Sequence, residues 1–148
     1  MPMSARLRRA LSFGPREWRD LWRAQAALLR AQRRLRREAI GSLAIRESFA
    51  SGEIAGDPSR ADALAHAVHR ASAYGLFRPY CLVRAMALRD LLLEDGIRGA
   101  SIRIGVRRSE GEFQAHAWIH WGERILGDEA RNVARFTEVD DLGVMRPE

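Results

Sequence analysis

At Gly99 the hydrophobic period of this chain changes from about 3.6 residues to 2, and no single kind of secondary structure satisfies both. Upstream, Trp18, Leu21, Trp22, Leu28, Leu29 and Leu35 recur at helical intervals, as do Ala61, Leu64, Ala65, Val68 and Ala71, and then Cys81, Ala85, Leu88 and Leu92. Downstream, Ile102, Ile104 and Val106 alternate with Arg103 and Gly105. Phe113, Ala115, Ala117, Ile119 and Trp121 then alternate with Gln114, His116, Trp118 and His120, and a third short run, "RILGD", covers 124–128. Helices followed by strands joined through tight turns predict an α+β fold, with N-terminal helices and a small antiparallel sheet behind the helix that bears Cys81.

The chain has 148 residues, enough for one domain with its own core. We divide it into a helical N-terminal extension (1–58) and a core (59–148), with "SGEIAGDPSRAD" (51–62) as the linker. A single cysteine excludes an internal disulfide, and the N-terminus lacks a secretory pattern, so the expected compartment is a reducing cytoplasm. No run approaches the roughly 18 apolar residues of a membrane span, so stable membrane insertion is not expected.

The net charge of +6 is unevenly placed: residues 1–40 hold eleven arginines against Glu17, Asp20 and Glu38, a local +8 that leaves −2 for the rest. All 25 basic residues are arginine, a bias that GC-rich codons produce, so the pI near 11 is weak evidence for nucleic acid. Interleaved aromatic platforms and zinc-finger spacings are missing, and no nucleic-acid partner is expected. The helix opened by Gly14-Pro15 reads as basic and amphipathic. Its first reading is packing on the core with arginines in water; docking to a partner through Arg30, Arg33 and Arg37 comes next.

Local signals set the helix ends. Ser59 and Asp62 resemble a capping box, Pro79 starts the helix of Cys81, and Gly96 is its C′ residue. His66 and His69 fall off the apolar face. As a pair three residues apart they lack a third metal ligand, so they read as surface residues and no metal is expected.

Cys81 falls in the first helical turn, on the stripe of Ala85, Leu88 and Leu92. Free backbone N–H groups and the helix dipole meet there, which favours an anion and can hold a developing oxyanion. A nucleophile suits that place, but so does a small buried hydrophobe. His116 tips the choice, because it lies on a strand, away from the Phe113/Ile119 face, with Asp128 on the following strand. If Gly122 and Glu123 alone form the turn, His116 faces Glu129 and Asp128 points to the other side of the sheet. If Trp121 joins the loop, His116 and Asp128 lie opposite each other on one face. A nucleophile, base and orienting acid require the second register, with Gly122 or a neighbour at positive φ.

The order "YCLVRAMALRDLLLEDGI", "IRIGV", "FQAHAWIHWGERILGD" resembles the transglutaminase-like cysteine peptidases, most closely the leader peptidase of lasso-peptide biosynthesis in its stand-alone form. The resemblance covers about residues 60–130, with C-L-x-R-A-x-A-L at 81–88 and A-H-A-W at 115–118 as its most specific parts. It implies a transglutaminase/papain-like core and removal of the leader from a ribosomally made precursor, with Cys81 as nucleophile, His116 as base and Asp128 as orienting acid. It also implies a separate leader-recognition protein and a lasso cyclase as partners. Peptide cleavage needs no cofactor, and with no phosphate-binding loop in the chain any ATP dependence belongs to that cyclase. The family motif often carries an acid where His120 stands here. Arg84, Trp118 and His120 are the candidates for substrate contact, although Arg84 reads first as a structural partner of an acid and His120 first as a surface residue. Three other functions use the same residues: transglutaminase-type transfer to an amine, an inactive peptide-binding module, and a metal site with too few ligands.

Overall fold

The computed structural model describes residues 11–37 and 53–138, together with Ala5, Arg8 and Arg9. The rest of the expected 1–58 extension and the start of the expected linker lie outside the described residues. In chain order the elements are α1 Pro15–Arg37, α2 Pro58–Tyr74, α3 Cys81–Glu94, β1 Ala100–Ser109, β2 Glu112–Trp121, β3 Arg124–Leu126, α4 Ala130–Val133 and β4 Thr137–Glu138. The four strands form one antiparallel sheet in the order β3-β2-β1-β4. The fold is α+β.

Helix α3 is the centre of the core. Val83, Ala85, Met86, Ala87, Leu88, Leu91 and Leu92 are all buried, so it is apolar on most sides, as a helix must be when helices cover one side and a sheet the other. Its C-terminus closes as the sequence predicts: Gly96 has φ +74°, its N–H bonds Leu93 O (3.1 Å), and the N–H of buried Ile97 bonds Leu92 O (2.8 Å). These two bonds complete a Schellman motif.

Two local expectations need correction. The N-cap of α2 is Asp57, whose carboxylate accepts from Ser59 N–H at 3.0 Å, rather than Ser59; Pro58 occupies the first helical position, where its missing N–H costs nothing. The buried seam of α1 is built from Ala24, Ala27, Leu28 and Ala31, with Leu21 and Leu35 partly buried, whereas Trp22 is 70% exposed and Trp18 lies at the rim against Phe13. Alanines let α1 approach α2 and α3 closely, and the bulky tryptophans are left outside that contact.

Several of the α1 arginines are used within the fold. Arg30 bonds Glu94 and Arg34 bonds Asp90 across to α3, while Arg33, Arg36 and Arg37 face solvent. Deeper in, Arg60 of α2 grips both oxygens of buried Asp20 (2.6 and 2.7 Å), and its Nε reaches Asp95 at 2.7 Å, which Arg23 also holds. This network ties α1, α2 and the end of α3 together. The hydrogen bond from Arg60 holds the Asp20 carboxyl below its usual 3.8, and the bond from Arg23 does the same for Asp95. Carboxylates with depressed folded values contribute stability above the unfolded value, and that contribution is lost as pH falls below about 4. Arg60→Ala leaves Asp20 buried with Arg23, at 3.6 Å, as its nearest remaining ion-pair partner among the described residues. It should cost about 3 kcal/mol, a fall in Tm of roughly 6–12 °C by calorimetry at pH 7, and the deficit should shrink in acid as the carboxyls protonate.

The register of the sheet differs from the one a same-face pair requires. Strand β2 pairs with β3 as Ile119↔Leu126, His120↔Ile125 and Trp121↔Arg124, so Gly122 and Glu123 alone form the turn. Gly122 has φ +62° at the first central position, the geometry of a type II′ hairpin. Trp121 cannot be released to the loop because it is a core residue: it is buried, pairs with Ala100 and donates from Nε1 to Arg98 O at 2.8 Å. On the other side of β2, Glu110 (φ 52°) and Gly111 (φ 83°) form a type I′ turn between β1 and β2.

Candidate active site

Cys81 is the first residue of α3, behind an extended N-cap at Tyr80. The first rung of the helix is Arg84 N–H to Tyr80 O (3.1 Å), so the N–H groups of Cys81, Leu82 and Val83 have no partner within the helix. The thiol is half-buried at the end of the Ala85, Leu88, Leu92 seam.

His116 lies on the face of β2 opposite the Ile119 side. Its imidazole packs against both Trp118 (centroids 6.0 Å apart) and Phe136 (5.1 Å), which also touch each other (6.5 Å). The neighbouring strand makes room for this stack: a Cβ at Gly105 would lie 2.7 Å from the Trp118 ring and 2.8 Å from Phe136, so only glycine fits opposite His116. Because β3 pairs only with 119–121, the edge of β2 beside His116 is not closed by a strand. There Cys81 and His116 line one narrow cleft of about 30 Å³, room for little more than a water molecule or two. Among the described residues no hydrogen bond joins thiol and imidazole, a looseness usual before substrate binds.

Asp128 reaches His116 by a route that alternation along the strand does not contain. Continuing the observed ladder would set Glu129 opposite His116 and turn Asp128 to the other face. Instead β3 stops at Leu126, and Gly127 adopts φ +77°, a left-handed conformation that glycine alone takes without cost. That kink rotates Asp128 back, and its Oδ2 bonds His116 Nε2. His116 and Asp128 are in contact although the register expected to bring them together is not the one observed. Oδ1 accepts from Glu129 N–H at 2.7 Å and from Asn132 Nδ2 at 3.0 Å. Burial pushes the Asp128 carboxyl up, but the bonds from His116, Asn132 and Glu129 outweigh it and leave the group below its ordinary value. A carboxylate therefore accepts the Nε2 proton, which leaves Nδ1 as the basic nitrogen of the imidazole.

The other sequence candidates separate. Trp118 is 2% exposed and lines the narrow cleft, and Arg84 lines both that cleft and the larger groove it opens into. No acid pairs with Arg84 among the described residues, contrary to its reading as a structural ion-pair member. His120 does not line the cleft. It sits half-buried near Trp118, 4.0 Å from Glu138, and burial lowers its pKa. His66 and His69 are exposed, as expected, yet both form part of the groove wall. Asn132, Gly127 and Phe136 were not identified from sequence, and only the i, i+4 spacing of Asp128 and Asn132 hinted at any of them. Among the described residues, no group of three or more His, Cys, Asp or Glu side chains has metal-binding proximity, and no helix is long and apolar enough to cross a membrane.

Comparison with known proteins adds one match, a family model for the transglutaminase-like superfamily that aligns with residues 21–140. No curated protein and no solved structure matches the chain. The aligned span takes in α3 and the whole sheet, and the usual chemistry of such domains is that of a cysteine peptidase or acyltransferase. With most of its length aligned, and with helices backed by a small antiparallel sheet as that fold requires, the chain belongs to the transglutaminase-like superfamily.

Proposed function

We propose that this chain is a cysteine peptidase that removes the leader from a ribosomally made lasso-peptide precursor, working in the cytoplasm. The observation that carries the chemistry is the His116–Asp128 hydrogen bond beside a cleft that Cys81 also lines. In this reading His116 Nδ1 takes the thiol proton and the Cys81 sulfur attacks the scissile carbonyl carbon. The carbonyl oxygen gains the electron pair and is held by the unpaired N–H groups at the start of α3. Collapse of that intermediate breaks the C–N bond, and the leaving amine takes the proton from the imidazolium. Water, deprotonated by His116, then hydrolyses the thioester and regenerates the thiol. Asp128 stabilises the imidazolium in both halves. The protein needs no cofactor for any of these steps.

The choice of substrate rests on the similarity of 81–88 and 115–118 to the lasso leader peptidases. A separate recognition protein would deliver the precursor, and a lasso cyclase with its own ATP requirement would take the product. Incubating the chain with a precursor and its recognition protein, with and without a primary amine, should yield in both cases a free carboxylate at the cut leader, read by mass. A predominant amide product would replace hydrolysis with transglutaminase-type transfer.

A further inference from the structure

The narrow cleft opens into a groove of about 750 Å³, in the size range of ligand sites, running between α2, β3 and the segment after it. Its charges are unequally satisfied. Each of its three carboxylates is engaged within the protein: Asp62 by Arg124 (2.9 Å to both oxygens), Asp128 by His116 and Asn132, and Glu129 by Arg131. His66 donates from Nδ1 to its own helix at Asp62 O, which leaves the ring without a proton to spare in its neutral form. Arg84 and Arg135 are the groove cations that meet no acid among the described residues. Arg84 is half-buried and stands one helical turn from Cys81, on the boundary between the cleft of the thiol and the groove. A guanidinium taken partly out of water without a partner is poorly compensated until an anion arrives.

We propose that Arg84 binds an acidic side chain of the peptide substrate close to the scissile bond, with Arg135 extending the same preference along the groove. The proposal rests on the peptidase reading of Cys81 above. An extended peptide advances about 3.3 Å per residue, and Arg84 begins one turn from the nucleophile. The acid it can reach therefore lies within about two residues of the reacting carbonyl. Guanidinium and carboxylate planes match in a two-bond fork, so Arg84 selects Asp or Glu over their amides at that place.

Because Cys81 is the sole thiol, its alkylation reports on its own surroundings. Iodoacetate and iodoacetamide differ in a carboxylate against an amide, and so do two tripeptide chloromethyl ketones carrying Asp or Asn next to the warhead residue. In the intact chain the acidic member of each pair should label Cys81 faster, relative to its neutral partner, than it labels a free peptide cysteine. Arg84→Gln should lower the preference, taken as the ratio of the acidic to the neutral rate, by roughly tenfold, a ratio from which the thiolate fraction common to both reagents cancels. Arg84→Met, which keeps the stem and removes the charge, answers the same question if the glutamine variant unfolds. A preference unchanged in these variants, with Cys81 still fast toward iodoacetamide, overturns the role of Arg84 and leaves the peptidase reading standing. Slow labelling of the intact chain by all four reagents overturns the reading on which the proposal rests.

Discussion

Cys81→Ala should reduce precursor cleavage by roughly 10³-fold or more while leaving the fold intact. The loss is large because in the proposed mechanism every covalent step passes through that sulfur, and the sequence holds no second thiol to substitute. The fold should persist because Cys81 is only half-buried, at the first position of a helix whose hold on the core comes from Val83, Met86, Leu88, Leu91 and Leu92 further along. Alanine also has the highest helix propensity. Circular dichroism and a melting temperature within a few degrees of the parent would establish that only chemistry was lost. Iodoacetamide should label the parent at neutral pH much faster than a peptide cysteine. Undiminished cleavage by the alanine variant would remove Cys81 from the mechanism.

The fold was legible in sequence wherever a local rule was enough. The change of period at Gly99 separates helices from strands, and Gly96 marks the end of α3. Each depends on a few adjacent residues. The buried side of α1 was not legible, because Trp18 and Trp22 carry the largest hydrophobic signal while the fully buried positions are Ala24, Ala27, Leu28 and Ala31, three of them valuable for being small. The register of β2 against β3 was misread for a similar reason. Nothing beside Trp121 in the sequence reports that its indole is anchored to Arg98 O, 23 residues away, and that anchor fixes the two-residue turn. The choice of Cys81, His116 and Asp128 rests on chemistry rather than on register, and His116 and Asp128 meet because glycine at 127 supplies the rotation that the strand pattern does not. Asn132 and Phe136 complete the surroundings of Asp128 and His116 from a segment with no periodic signal of its own.

Asp128→Asn should lower turnover by roughly 10²–10⁴-fold with little change in stability or in KM. The amide is isosteric and can still accept from Glu129 N–H, so the turn after Gly127 should hold. Two things are lost at His116. Asparagine carries no charge to stabilise the imidazolium formed when Nδ1 takes the thiol proton. It can also present its NH₂ to Nε2, which then accepts, moving the ring proton to Nδ1 where the base is needed. Either change acts on the proton-transfer step and alters the proposed peptide groove only by an isosteric amide in place of one carboxylate that is already engaged within the protein, so kcat should fall while KM stays close to its original value. Asn132→Ala should have a smaller effect in the same direction, because it removes one donor to Asp128 but leaves the carboxylate, Glu129 N–H and His116 in place. Equal activity of Asp128→Asn and the parent, measured on one precursor at saturating concentration, would mean that the carboxylate only supports the turn and that His116 works without it.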